Sequence, residues 1–339
     1  MNRFGWMNPR TIAEAAAAST TVADGMRDAS CNASVLKAGG IDLLDLMKDN
    51  LLKPQQVVNL RALPDLDQIA ENEDGGLTIG PLVTLAALTK HPVLRQRYSA
   101  LSDAVENAAS PQIRNVATLG GNILQRPRCW YFRSASHHCR RKGGADCYAL
   151  LGENQYHAIF GNDACAIVHP STAATALVAL GAGITLTDAR GQNRKLPLEQ
   201  FFIAPETDIE RENDLRPNEI LTAIHLPLLP GTARSVHVKL SEKGSFDWPV
   251  ADVAVVLELG QDRRCQRASV VLGAAAPVPY RARAAEAVLV GRSIDASVAE
   301  ATGRAGLNGA TPLAKNAYKL PIFAVLIRRA VLKASIDEA

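Results

Sequence analysis

Four of the six cysteines in this chain, Cys129, Cys139, Cys147 and Cys165, fall within 37 consecutive residues. Their spacing is C-x9-C-x7-C-x17-C, and the residues between them are too polar and basic to pack as a core. Just upstream lies a small-residue turn, Thr118-Leu119-Gly120-Gly121-Asn122. Paired glycines let backbone N–H groups approach an anion with no Cβ in the way, so this turn reads as a phosphate cradle. The stretch from Ala117 to Cys165 therefore points to two cofactors side by side, and the rest of the chain is expected to be organised around it.

At 339 residues the chain exceeds what one core usually serves, so two domains are expected. Apolar content of 47% with 21% charged residues belongs to an ordinary globular protein with a large core. A net charge of +3 implies no nucleic-acid partner. The sequence has no run of 18 apolar residues to span a membrane. Its start, MNRFGWMNPRTIAEAAAAS, lacks a continuous apolar segment and breaks at Pro9, which argues against a secretory signal. Six cysteines are too few for a disulfide scaffold, and their clustering favours metal.

In chain order, Thr11 to Ala18 reads as a first helix, with loop signals at Asp24-Gly25. Ser34 to Lys37 reads as a strand that delivers Ala38-Gly39-Gly40 to a helix over Ile41 to Lys48. That strand, turn and helix N-terminus form a second anion site, since first-turn N–H groups are unpaired there. A bland strand-to-helix turn explains the segment equally well, because it lacks Rossmann or P-loop spacing. Val57 to Leu60 reads as a strand, Leu66 to Gly80 as a hairpin, and Thr84 to Lys90 and Val93 to Ala109 as helices. Ala166 to Val168 reads as a short strand, and Ser171 caps a helix through Leu180. Strands follow at Ile184 to Thr187 and Ile220 to Leu226. Pro227 to Gly231 is the linker. Beyond it come strands at Val236 to Leu240, Val250 to Leu259 and Ala268 to Gly273, then helices at Arg281 to Leu289, Val298 to Ala305 and Ala314 to Lys333.

Three motifs, KAGGIDLLDLMK at Lys37 to Lys48, TIGPLVTLAAL at Thr78 to Leu88 and SPQIRNVATLGGN at Ser110 to Asn122, carry a family resemblance. They resemble the FAD-binding medium subunit of the molybdenum hydroxylases, the xanthine dehydrogenase and carbon monoxide dehydrogenase family. RPRCWYF, the cysteine loop and His157 to Ser171 are similar to the flavin subunit of periplasmic aldehyde oxidoreductases, which carries an extra [4Fe-4S] cluster. The resemblance implies an α+β fold: a two-subdomain FAD-binding domain over 1–230, divided near 60, with an iron–sulfur loop at 126–165. A smaller domain of three antiparallel strands plus helices would occupy 231–339. It further implies that Lys37, Ala38, Gly39, Gly40, Ile41, Asp42, Leu43 and Leu44 wrap the FAD pyrophosphate and ribityl region. Ser110, Thr118, Gly120, Gly121, Asn122 and Ile167 would face the cofactor from the other side. Lys243 matches loosely a position near the flavin, and a solvated surface lysine fits it equally. Ile41 stands where the family usually has threonine or serine, and Thr172 where it usually has aspartate; these departures bear on affinity.

The resemblance also implies that Cys129, Cys139, Cys147 and Cys165 hold one [4Fe-4S] cluster. A structural zinc site is the alternative that the ligand count leaves open. Arg126, Arg128, Arg133, Arg140, Arg141 and Lys142 surround the first two cysteines, a cationic setting that stabilises an anionic thiolate cluster and favours its reduction. His137 and His138 read as solvated, Trp130 to Phe132 as packing the loop onto the domain, and Cys31 and Cys265 as ordinary buried residues. The implied role is an electron-transfer subunit working with a molybdenum-cofactor large subunit and a small subunit of two [2Fe-2S] clusters. The competing class is a scaffold with zinc and no working flavin. The resemblance leaves a cytoplasmic or a periplasmic location open.

Overall fold

The computed structural model describes residues 1–20, 26, 33–244 and 246–336. Cys31 and the loop at Asp24-Gly25 lie outside the described residues. Three short strands, β1 (Gly5–Met7), β2 (Ser34–Lys37) and β3 (Gln56–Asn59), form a parallel sheet in the order β1-β3-β2. β2 ends in Gly39 and Gly40, and the chain turns into the helix Ile41–Lys48. Gly40 has φ 84°, a left-handed conformation that costs glycine nothing, and a Cβ there would stand 2.9 Å from Lys37 Cε. Leu43, Leu46 and Met47, spaced i, i+3, i+4, bury one face of this helix against Val35, Leu52 and Val57.

The next layer is an antiparallel sheet of β4 (Ile69–Glu71), β5 (Leu77–Ile79), β6 (Gly183–Asp188), β7 (Asn193–Pro197) and β8 (Glu219–Leu226), in the order β4-β5-β8-β6-β7. The helix expected over Val93 to Ala109 is two helices, Pro92–Arg97 and Ser99–Glu106. Tyr98 breaks it with φ −131° and ψ 48°, because its ring is fully buried while its hydroxyl donates to Pro227 O at 2.9 Å. The strand expected at Ala166 to Val168 joins no ladder. Its backbone serves the cysteine loop instead, Ala166 O accepting from Ala158 N–H. Ser171 does cap the helix Thr172–Ala179, accepting from Ala174 N–H, and every residue of that helix is buried.

After the linker, β9 (Ala233–Leu240), β10 (Ala251–Leu259) and β11 (Cys265–Gly273) make the expected three-stranded antiparallel sheet, to which the two-residue β12 (Tyr280–Arg281) adds an edge. Helices Arg283–Leu289, Ala296–Ala305 and Lys319–Ser335 follow. Ala254, Val256 and Val271 of this sheet share a core with Leu177 and Leu221 of the preceding layer. Cys265 is buried beside Leu289 and Val270, as an ordinary core residue. Among the described residues no helix is long and apolar enough to cross a membrane.

The C-terminal helix begins at Lys319, five residues later than the expected Ala314, and Lys319 is fully buried. Its ammonium donates to His157 O and Ala274 O, and burial lowers its pKa to about 7. An unfolded lysine loses its proton near 10.4. Between these values the unfolded chain binds the extra proton, so stability should rise with pH from about 7 to 10. We predict that urea midpoints over this range climb in the wild type relative to Lys319→Met; parallel curves would show that Lys319 stays charged in the fold.

Candidate functional site

The two glycine segments meet. Gly39, Gly40, Ile41, Asp42 and Leu43 on one side and Thr118, Gly120, Gly121 and Asn122 on the other line one cavity of about 290 Å³. Pro81, Leu82, Ile113, Leu215 and Trp248 complete its walls, with Arg126, Arg128 and Glu212. The helix Ile41–Lys48 opens onto it with Gly40 as N-cap and no capping side chain, leaving first-turn N–H groups for an anion. Thr118 caps the second turn by accepting from Gly121 N–H. Asn122 is set by Ser171, whose hydroxyl donates to Asn122 Oδ1 at 2.6 Å.

The glycines have different physical duties. A Cβ on Gly39 would stand 2.3 Å from Val116 O, and one on Gly120 would stand 2.7 Å from Pro81 Cβ, so both are required by backbone packing. A Cβ on Gly121 would meet only Thr118 Oγ1, at 3.1 Å. Gly121 is thus the position whose missing side chain leaves space for a ligand, whereas the family resemblance had set Gly120 and Gly121 alike against the cofactor. Arg128 adds a cation to the wall, its guanidinium 4.8 Å from the Trp248 ring centre, with Nε buried and without a hydrogen-bond partner among the described residues.

A second, smaller cavity is lined by all four clustered cysteines together with Phe132, Arg141, His157 and Ile167. Burial pushes the Cys129 thiol up to about 11 and raises Cys139 as well. Cys147 and Cys165 share a hydrogen bond that brings Cys147 down to about 6 and pushes Cys165 up. His157 Nε2 lies 3.2 Å from Cys129 Sγ, and burial lowers its pKa to about 4, which leaves it neutral. Arg141 is 3% exposed, and its Nε and Nη2 have no hydrogen-bond partner among the described residues. Among the described residues no group of three or more His, Cys, Asp or Glu side chains is arranged to hold a metal ion.

Ion pairs join the two cavities. Asp42, in the first turn of the cofactor helix, accepts from Arg126 N–H at 2.8 Å and pairs with Arg128 at 2.8 Å and Arg133 at 2.6 Å. Glu212, buried, pairs with Arg126 at 2.8 Å and Arg141 at 2.7 Å. Burial opposes ionisation of Glu212, but the two guanidinium groups win and hold its pKa below the usual carboxylate range. These two carboxylates offset only part of the loop's positive charge; Arg140 bonds instead to the carbonyls of Ala145 and Ala164, and Lys142 to those of Tyr131 and Ser134. Of these basic residues only Arg140 and Arg141 line the thiol cavity.

Other expected site residues are not among the large cavity's lining. Lys37 places its ammonium 5.6 Å from the Trp6 ring centre, and Leu44 is passed over between the lining residues Leu43 and Asp45. Ser110 caps the helix Pro111–Arg114, Lys243 is exposed, and Ile167 belongs to the thiol cavity. Thr172 is buried, donating to Ala104 O. His137 bonds within its own turn, to Ser134. Phe132 is buried against Leu46 and Met47, so it does anchor the loop. Glu212 and Trp248 went unread in the sequence, since each reaches the site from a distant segment with no motif around it.

Two facing glycine cradles, a helix N-terminus and a cationic wall define a protein built to hold a large anionic cofactor of the dinucleotide type. The comparisons with known proteins agree and sharpen this. The FAD binding domain in molybdopterin dehydrogenase matches residues 2–229, and the CO dehydrogenase flavoprotein C-terminal domain matches residues 237–334. The chain is 35% identical over 285 residues to the aldehyde oxidoreductase FAD-binding subunit PaoB of Escherichia coli, covering 84% of this chain and 86% of that one. It is 29% identical to the carbon monoxide dehydrogenase medium chain of Afipia carboxidovorans, covering 98% and 96%. Reconstituted CO dehydrogenase from Oligotropha carboxidovorans superposes with a TM-score of 0.74 at 25% identity over 98% of both chains. This chain belongs to the FAD-binding medium subunits of the molybdenum hydroxylase family, and it is an oxidoreductase subunit.

We predict that Gly121→Val fills the cavity and lowers FAD occupancy about tenfold or more while the melting temperature stays near wild type. Gly120→Val should instead destabilise the fold, by roughly 1–3 kcal/mol of overpacking against Pro81. Heat-released FAD and thermal unfolding of both variants check this; equal flavin loss with equal destabilisation would contradict the division of roles.

Proposed function

We propose that this chain carries FAD in the large cavity and one [4Fe-4S] centre on Cys129, Cys139, Cys147 and Cys165, and transfers electrons within a molybdenum-dependent hydroxylase or aldehyde oxidoreductase complex. The observation that carries the second half of this reading is that four thiols spread over 37 residues line a single cavity. Beside them lie two nitrogen-bearing side chains with buried, unpartnered nitrogen atoms: His157 at Nδ1 and Arg141 at Nε and Nη2. A donor set of four cysteines with a neutral imidazole and a guanidinium suits an anionic, thiolate-ligated group.

Bound FAD would exchange electrons in pairs or singly, and an iron–sulfur centre singly. The chain's own residues supply the setting. Gly121 and the first turn of Ile41–Lys48 would leave room and donors for the pyrophosphate, Arg128 would supply positive charge, and Trp248 and Leu215 would close apolar walls. His157 Nε2 and Arg141 would donate to cysteine sulfurs. Within the complex, electrons would arrive from the [2Fe-2S] clusters of a small partner subunit and leave from FAD to an external acceptor, while a molybdenum-cofactor large subunit oxidises the substrate. The names of similar proteins, among them a dehydrogenase complex subunit from Paenarthrobacter nicotinovorans, support a multi-subunit assembly. We place the division between the chain's two domains at 230/231.

Ordering a loop of 37 residues costs about 3 kcal/mol in closure entropy plus a constant, part of which metal–thiolate bonds can offset. Cys139→Ser should therefore lose iron and increase protease cleavage between residues 126 and 165. The decisive measurement is metal analysis of the purified chain and of its complex: about four irons on this chain support the reading, and one zinc with no iron refutes it. The chain without partners should show no aldehyde or purine oxidation; turnover in the absence of molybdenum would overturn the assembly part.

A further inference from the structure

Arg141 stands between the two cavities. Its side chain lines the thiol cavity, while Glu212 and Arg126 line the larger one. Arg141 Nη1 and Arg126 Nη2 both donate to the same oxygen, Glu212 Oε1, at 2.7 and 2.8 Å, and Arg126 Nε takes Glu212 Oε2 at 3.0 Å. Arg126 then donates its backbone N–H to Asp42, in the first turn of the cofactor helix. Arg141, Glu212 and Arg126 thus link the wall of the thiol cavity to that of the larger one, and the backbone of Arg126 holds Asp42.

The charge count in this chain is uneven. Arg126 and Glu212 already neutralise each other, so Arg141 brings a surplus positive charge into a site where all three residues are at least nine-tenths buried. A buried, uncompensated cation is strongly disfavoured, and a structural role would be met by the Arg126–Glu212 pair alone. The two nitrogens that Arg141 leaves without a hydrogen-bond partner among the described residues belong to a side chain that lines the same cavity as the four cysteines. The missing anion therefore belongs in the thiol cavity.

We propose that Arg141 is the counter-ion of the centre held by the four cysteines, and that through Glu212 it couples occupancy of that centre to flavin binding. This rests on the iron–sulfur reading. With the centre present, the Arg141 charge is shared between the thiolates and Glu212. Without it, Arg141 has only Glu212 Oε1, in direct competition with Arg126, and the hold of Arg126 on Asp42 loosens. Cluster loading and FAD binding should thus be mutually reinforcing, and by linkage each should tighten the other equally.

The test uses the assembled complex with wild-type, Arg141→Met and Arg141→Lys chains, each measured with this chain's iron in place and after its removal. In the wild type, iron removal should weaken FAD binding about tenfold, within the usual range of coupling between sites. Arg141→Met retains all four cysteines and should still load iron. Its centre should titrate at a more negative potential by EPR-monitored reduction, since a positive charge that favours the reduced form is gone, and its FAD affinity should no longer respond to iron. Arg141→Lys keeps the charge but not the fork, so it should restore the potential more than the coupling. If Arg141→Met fails to assemble, the lysine variant decides: undiminished coupling there overturns the role of the Arg141–Glu212 bond. A wild-type chain without iron overturns the cluster reading and this inference together. Iron-loaded wild type and Arg141→Met with equal potentials and equal coupling overturn this inference alone.

Discussion

Two carboxylates from outside the cysteine loop, Asp42 and Glu212, decide where that loop sits. Between them they bind the side chains of Arg126, Arg128, Arg133 and Arg141 and the backbone N–H of Arg126. Deleting one member of a buried pair costs roughly 3–5 kcal/mol because it strands the other charge, which is comparable to the closure entropy of the whole loop. Glu212 is the clearer case, since it is buried and faces two guanidinium groups, whereas Asp42 keeps some contact with solvent. The consequence is geometric: a loop that could swing freely is docked against the first turn of the helix that opens onto the FAD cavity.

That docking changes the meaning of the basic residues. Counted along the sequence, six cations next to two cysteines describe a strongly positive loop. In three dimensions four of them share two carboxylates and two bond to neutral backbone carbonyls, so a surplus of positive charge remains and its placement matters. The electrostatic environment of the thiols depends on which individual cation has spare donors, and net loop charge is a poor guide to it. Arg141 has them, and Arg126, fully engaged, does not.

Much of the fold was legible because its signals are local. The strand, Gly-Gly and helix of Ser34 to Lys48 follow from the apolar pair Val35-Leu36, a left-handed glycine and i, i+3, i+4 apolar spacing. Ser171 announced its helix by capping chemistry. The convergence of the two glycine segments on one cavity was reached through the family resemblance and not from either segment alone. The misreadings came where long-range packing overrides a local pattern. Tyr98 splits an otherwise continuous helical periodicity because its buried ring and its bond to Pro227 demand a different backbone. Gly120 and Gly121 look equivalent as letters, yet only the approach of Pro81 shows that one is reserved for packing and the other for space. Glu212 lies 86 residues from Arg126, and no periodicity connects them.

The C-terminal domain has a part in the site that neither glycine cradle reveals. Asn316 and Lys319 both donate to His157 O, and Asn162 donates to Thr311 O while Thr311 donates to Asn162 Oδ1. These bonds hold the backbone of residues 157–162 from the C-terminal domain. The carbonyl of His157, whose Nε2 lies 3.2 Å from Cys129 Sγ, is thus tied to Asn316 and to the first residue of the C-terminal helix. The thiol cavity is thus assembled from three directions: the cofactor helix through Asp42, the FAD-domain segment through Glu212, and the C-terminal domain through Lys319. Because the cysteines of one loop are positioned by all three, the loop's order reports on the integrity of the whole chain, and local damage in the distant helix should reach the thiols before it reaches the glycine cradles.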